Sequence, residues 1–174
     1  MFAYCVFCKP GQERHVAELV RAMADCKTLL PLCAQRHWIQ DREVKEFGEF
    51  LPNYLYVYAE QPIGKQLHDR HMTGVERWMG EEADGYALRG DDYAFAMFLY
   101  DNQGVIDYQT GYEVDGIIRL LPCGREHAVT GEIVKVHRRY RRALICFRFG
   151  QLAVSLWTGY NLVPAPAEAL PAVG

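Results

Sequence analysis

The 174-residue chain predicts an α+β protein in two parts: an amino-terminal antiparallel sheet carrying helices, then a small carboxyl-terminal five-stranded β-barrel. Three observations predict it. Over residues 1–102, apolar runs with strand and helix periods follow one another as βα, ββ, αβ, α, the pattern of helices packed on an antiparallel sheet. After Gly111 come only short strand runs at tight spacing, the pattern of a small barrel. Charge divides at the same place. Residues 1–111 hold eleven Lys/Arg against seventeen Asp/Glu, whereas residues 112–164 hold eight against four. Such a split suggests two modules with different partners.

Phe2 to Cys8 is apolar and aromatic and reads as the first strand, with Lys9-Pro10-Gly11 as its turn. From about Gln12 to Ala24, Val16, Leu19, Val20 and Met23 recur at helical spacing, while Glu13, Arg14, Glu18 and Arg21 take the wet side. Leu29 to Ile39 reads as a second strand broken near Pro31, and Asp41 to Glu49 as a polar hairpin-like excursion. Phe50-Leu51-Pro52-Asn53 is a turn, because proline disfavours helix at the residue before it and Asn tolerates the left-handed region. Positive φ is expected at Asn53. Tyr54 to Tyr58 is strand-forming and apolar on both faces. Either it is a central strand covered on both sides, or its Tyr54, Tyr56 and Tyr58 face is open to a partner.

Lys65 to His71 reads as a short helix, Val75 to Met79 as a short strand, Glu81 to Arg89 as an acidic loop, and Asp92 to Tyr100 as a further helix. Residues 103–111 carry turn residues and read as a linker between a domain at 1–102 and a barrel at 112–164. The barrel strands are expected at Ile117–Leu121, Ala128–Val136, Ala143–Phe149, Leu152–Trp157 and Tyr160–Val163. Residues 165–174 are rich in Ala and Pro and read as a disordered tail.

No apolar run approaches the roughly 20 residues of a membrane span, and no basic-then-apolar leader opens the chain, so no membrane partner is expected and a cytoplasmic location is. Six cysteines are then expected to be reduced. Cys5 and Cys8 have CxxC spacing, but three residues apart on a strand they point to opposite faces, a poor chelating geometry. No GxSxG, phosphate-cradling loop or HExxH is present, and the six histidines do not gather at ligand spacing. The reading is therefore a protein that is not an enzyme and holds no metal or cofactor. One stretch stands out: Lys135-Val136-His137-Arg138-Arg139-Tyr140-Arg141-Arg142, at an expected hairpin between two strands. Guanidinium groups fork onto phosphates and stack on bases, and tyrosine stacks as well. The segment is either an RNA-contact surface or a solubilising hairpin tip.

In order along the chain, Ala3-Tyr4-Cys5-Val6, Gly11-Gln12-Glu13, Leu51-Pro52-Asn53-Tyr54-Leu55-Tyr56-Val57, Thr73-Gly74-Val75, Trp78-Met79-Gly80 and Gly131-Glu132-Ile133-Val134-Lys135-Val136 together resemble the NusG family of transcription elongation factors. Asn53 stands where that family keeps Gly, and Leu51 where it keeps Phe. These departures suggest a specialised paralogue similar to operon-specific antiterminators of the LoaP type. The resemblance implies an NGN-like domain followed by an SH3-like KOW barrel, acting as a monomer. It implies that the first domain grips the clamp helices of RNA polymerase through Tyr4, Leu51, Pro52, Tyr54 and Trp78. The barrel is then expected to contact nascent RNA, such as a leader hairpin, through Lys135, Arg138, Arg139, Tyr140, Arg141 and Arg142. The alternative is an adaptor whose barrel binds a ribosomal or termination protein and no RNA.

Overall fold

In the computed structural model, which describes residues 1–166 and Glu168, the elements run β1 (Phe2–Cys8), α1 (Glu13–Met23), β2 (Lys27–Leu29), β3 (Leu32–Ile39), β4 (Arg42–Glu49), β5 (Tyr54–Ala59), α2 (Gly64–His68), β6 (Val75–Trp78), α3 (Gly90–Asp101), β7 (Val105–Ile106), β8 (Gln109–Val114), β9 (Ile117–Leu120), β10 (Glu132–His137), β11 (Arg142–Phe149) and β12 (Leu152–Leu162). The chain is α+β, with three sheets and few helices. No helix among the described residues is long and apolar enough to cross a membrane. Two compact units form: Met1–Leu32 with Glu49–Val105, and Cys33–Gly48 with Ile106 onward.

The first unit is built on a sheet in the order β2-β5-β1-β6, with β1 antiparallel to both neighbours. Strand alternation sends Tyr4, Val6 and Cys8 to one face, where Leu55 and Val57 of β5 join them. The apolar stripe of α1 (Val16, Ala17 and Val20) packs into that cluster, and Arg14, Glu18 and Arg21 stay exposed, whereas Glu13, expected on the wet side, is buried where its carboxylate accepts from the Gly11 amide at 3.4 Å. Each fully buried side chain of this size stabilises the unit by about 1.5–3 kcal/mol relative to exposure. The start of α2 comes very close to the sheet. A Cβ on Gly64 would sit 2.2 Å from the Gly85 carbonyl oxygen and 2.4 Å from the Tyr4 ring, so only glycine fits there.

The opposite face of β5 is covered by α3. The Tyr58 hydroxyl donates to the Ala96 carbonyl at 2.7 Å, and the Tyr56 ring meets Phe95 edge-on at 5.9 Å. From Phe95 to Leu99 every residue of α3 is buried, as befits a helix that is apolar all round. Tyr56 and Tyr58 are therefore core, and the strand is covered on both faces over most of its length. Asn53 has φ 71°, as the turn reading expects.

The second unit holds a sheet in the order β10-β11-β12-β8-β9. It is antiparallel except where β12 meets β8 in parallel, Tyr160 opposite Gln109 and Leu162 opposite Gly111. Ala143, Ile145 and Phe147 of β11 line its buried side with Leu156, Thr158 and Tyr160 of β12. Five strands form, but not the five expected. Leu152–Trp157 and Tyr160–Val163 are one continuous strand, β12. Gly159 is not a turn residue: a Cβ there would lie 2.6 Å from the Tyr108 ring, so it lets that ring lie against the strand. The fifth strand is instead β8, which begins at Gln109 inside the stretch read as a linker. Ile106 and Gln109 of that stretch are buried. The tail expected over 165–174 lies for the most part outside the described residues.

The hairpin of β3 and β4 belongs with this second unit and takes β7 as its third strand. Gln40 and Asp41 turn it, both at positive φ, which matches the twist that two-residue hairpin turns require. Its anchor is Arg36, only 2% exposed. The guanidinium donates to the carbonyls of Tyr160 at 2.9 Å and Arg141 at 3.3 Å, and to the Asn161 side-chain oxygen at 2.7 Å. Its Nε lies 3.0 Å from a Glu43 carboxylate oxygen, and the group stacks 4.4 Å from the centroid of Tyr108. Thr158 Oγ1 adds a buried donation to the Ala34 carbonyl at 2.7 Å.

Arg36→Ala is expected to destabilise this unit by about 3 kcal/mol, because it leaves buried acceptors without a donor. Arg36→Lys should recover less than half of the loss, since an ammonium cannot fork between the three acceptors. Urea denaturation followed by circular dichroism measures both; an unchanged midpoint in Arg36→Ala would refute the anchor.

Candidate functional site

The outer face of β10, β11 and β12 follows from the strand register. Lys135 is opposite Leu144, and Leu144 opposite Trp157; in the next row His137 is opposite Arg142, and Arg142 opposite Gly159. Residues in register share a face, so Lys135, His137, Arg142 and Trp157 project together, away from the Ala143, Ile145 and Phe147 core. A single 3₁₀ turn, Arg138–Tyr140, joins β10 to β11, and Arg141 closes it in the left-handed region at φ 47°. The Arg141 carbonyl accepts from both the Tyr160 amide and Arg36, which fixes the turn's exit.

Ring contacts run across this face. His137 lies 5.7 Å from Trp157 and 6.2 Å from Tyr140. The Arg142 guanidinium sits 5.9 Å from the Trp157 ring, and that of Arg139 5.5 Å from Tyr140. Lys135, Arg139, Tyr140 and Arg141 are exposed, and Arg142 is half-buried. Arg138 differs from its neighbours. One of its nitrogens donates to both Glu113 carboxylate oxygens at 3.0 and 3.1 Å, and the other to the Gly116 carbonyl at 2.6 Å. Its charge is neutralised within the unit and its position is fixed. Among the described residues no ion pair engages Lys135, Arg139 or Arg141. The structure thus gathers five of the six basic-segment residues on and beside one surface, ties Arg138 to β8, and adds His137 and Trp157. Period-two alternation puts Trp157 on the same face as Ser155, a signal obscured by the break expected between Leu152–Trp157 and Tyr160–Val163.

The residues expected at a polymerase contact are not brought together. Tyr4 is wholly buried, and its hydroxyl accepts from the Ile63 amide at 3.0 Å. Trp78 is opposite Val6 on β1 and packs edge-on to Tyr4 at 6.3 Å, so it lies on the α1 side of the sheet. Tyr54 is opposite Phe7 and therefore on the other side. These placements correct the expected set: burial removes Tyr4 and Trp78 from any surface in this conformation. Leu51, Pro52 and Tyr54 remain at least partly exposed at the turn. Phe7, absent from the expected set, packs on Tyr54 with ring centroids 5.0 Å apart. The cross-strand partner of a half-covered tyrosine was not identifiable before the register was known.

The paired cysteines are separated by strand alternation, as their spacing requires. Cys5 is opposite Tyr56 on the α3 side, whereas Cys8 joins the cluster with Val16 on the other. Burial pushes each thiol up to about 12, and burial raises Cys123 to about 11. The rings of His68 and His71, three apart, have centroids 6.2 Å from each other, and the His68 ring stacks on Tyr86 at 4.2 Å.

No protein-family model and no curated protein matches this chain. Its function is read from these surfaces.

The thiols make a prediction about pH. Their protonated forms are favoured in the folded state, whereas unfolded thiols ionise near 8.5, so between those values the unfolded chain binds fewer protons. Stability should be at its full value below about pH 8 and fall as pH rises from about 9 towards 12. Denaturant midpoints measured across that range under reducing conditions should decline. Cys5→Ala/Cys8→Ala should decline less steeply than the natural chain; equal slopes would refute the assignment.

Proposed function

We propose that this chain is a transcription elongation or antitermination factor with an NGN-like first unit and a KOW-like barrel in the second, as in the NusG family it resembles. The first unit engages the clamp helices of RNA polymerase, and the second contacts nascent RNA, such as a leader hairpin. The observation that carries the reading is the outer face of β10–β12. There Lys135, Arg139, Arg141 and Arg142 accompany Tyr140, His137 and Trp157, and among the described residues no ion pair engages Lys135, Arg139 or Arg141. Unneutralised cations interleaved with aromatics suit a polyanion that also offers flat rings.

On the first unit the surviving apolar group is Phe7, Leu51, Pro52 and Tyr54. A few such anchors carry most of an interface's energy. The acidity of this half is compatible with an apolar grip that does not touch nucleic acid. Binding the elongating conformation in preference to the paused one stabilises it by the difference in affinity, and each 1.4 kcal/mol shifts the ratio about tenfold. Once one unit is bound, the other acts at a high effective concentration, so weak RNA affinity suffices. This is a cytoplasmic role with no bound cofactor.

A second reading, a protein adaptor, is favoured by one feature. Trp38, Ile39 and Phe47 are exposed on the β3–β4 hairpin at 44%, 54% and 54%. A ribosomal or termination protein docking there would not need the basic face. Salt separates the readings, since phosphate contacts release counterions.

Leu51→Ala/Tyr54→Ala should abolish co-purification with core RNA polymerase, a loss of at least about 30-fold in affinity, while the circular dichroism spectrum is kept. Retained binding would place the contact elsewhere. Arg139→Gln/Arg141→Gln should weaken binding of the chain's own upstream leader RNA. It should flatten the log–log salt dependence by about 1.4 for two lost single-strand phosphate contacts. Unchanged affinity and slope would leave the adaptor reading standing.

A further inference from the structure

We propose that the basic face recognises an unpaired RNA base by stacking it on Trp157, and so selects single-stranded or looped RNA over continuous duplex. This deepens the RNA reading above and rests on it. Trp157 belongs to the row Lys135–Leu144–Trp157 on the outer side of the sheet and remains half-buried. It does not stand alone. His137 lies 5.7 Å from it and Tyr140 lies 6.2 Å from His137, so three rings form a line from the sheet to the hairpin turn. Cations attend both ends, Arg142 at 5.9 Å from the Trp157 ring and Arg139 at 5.5 Å from the Tyr140 ring.

That arrangement discriminates between two kinds of polyanion. A continuous duplex offers phosphates and 2′-hydroxyls but keeps its base faces stacked inside, and the A-form major groove is too narrow for side chains. It would use the arginines and leave the rings idle. An unpaired nucleotide offers both a ring face and a phosphate on either side of it. Aromatic rings at the spacing seen here, with a guanidinium beside each terminal ring, present stacking surface and charge together. Base stacking of this kind tolerates any base, because every base has a π-face. Trp157 thus supplies strand-state selectivity, and the cations supply charge attraction. Arg138, locked to Glu113 and Gly116, helps to hold the turn in place.

Fluorescence anisotropy tests this with a labelled twelve-nucleotide single-stranded RNA of mixed sequence and a blunt RNA duplex of the same length. The natural chain should bind the single strand at least about tenfold more tightly than the duplex. Trp157→Ala should lose about ten- to hundredfold on the single strand and little on the duplex, with its salt slope unchanged. Trp157→Phe should stay within a few-fold of the natural chain. Tyr140→Ala, at a turn position 42% exposed, should lose several-fold and serves where Trp157→Ala fails to fold. Equal binding of duplex and single strand, or full single-strand affinity in Tyr140→Ala and Trp157→Ala, overturns the stacking proposal and leaves RNA contact by charge standing. Absence of binding to either probe by the natural chain at low salt overturns both.

Discussion

The second unit turns on one buried cation. Placing the Arg36 guanidinium where water does not reach costs several kcal/mol. The cost is offset only because two backbone carbonyls, an Asn161 oxygen, the Glu43 carboxylate and the Tyr108 ring converge on it. Those partners come from β4, from the residue that closes the basic turn, from the parallel strand pair, and from the segment before β8. Arg36 therefore joins the hairpin to the sheet. It also grips the carbonyl of Arg141, which orients the last residue of the turn. The surface that faces outward is set by a charge that faces inward. The neighbouring Gly159 serves the same end, since only a residue without Cβ lets Tyr108 lie where it can stack on Arg36.

In the first unit the constraint is different in kind. The strand β5 is a two-sided wall, with Leu55 and Val57 against α1 and Tyr56 and Tyr58 against α3. A strand covered in this way has apolar residues at every position, so its sequence does not distinguish one side from the other. Along this strand, accessible apolar groups lie where the wall begins, at the Leu51–Tyr54 turn and its cross-strand neighbour Phe7. Tyr4 and Trp78 show the same logic from the inside. An aromatic at a strand's centre packs, and its polar end finds a backbone partner, as Tyr4 does at Ile63.

Local features were readable from the residues because local physics determines them. The α1 stripe, the break at Pro31, the left-handed Asn53 and the basic turn all depend on neighbours a few positions away. What was not readable depends on distant pairing. The division of β5 between two helices, the allegiance of residues 33–48 to the second unit, and the parallel pairing of β12 with β8 are invisible to periodicity. Gly159 illustrates the difficulty. In sequence it looks like punctuation, and the structure uses it for a close approach inside a strand. The basic segment was identifiable by composition, yet its division into tied Arg138 and available Arg139 and Arg141 required knowing that Glu113 lies opposite.

The allegiance of the β3–β4 hairpin has a consequence for synthesis. Arg36 and its acceptor Tyr160 are 124 residues apart. At about 5–20 residues per second, the arginine leaves the ribosome roughly 6–25 s before the Tyr160 carbonyl that helps to compensate it. Through that interval the Arg36 guanidinium lacks the Tyr160 and Asn161 acceptors that compensate its burial. The first unit must therefore form across an open excursion, closing β2 to β5 without help from the residues between them. Among the described residues the strand that docks the hairpin is the one furthest along the chain, β12, so the order of translation separates the assembly of the two units in time.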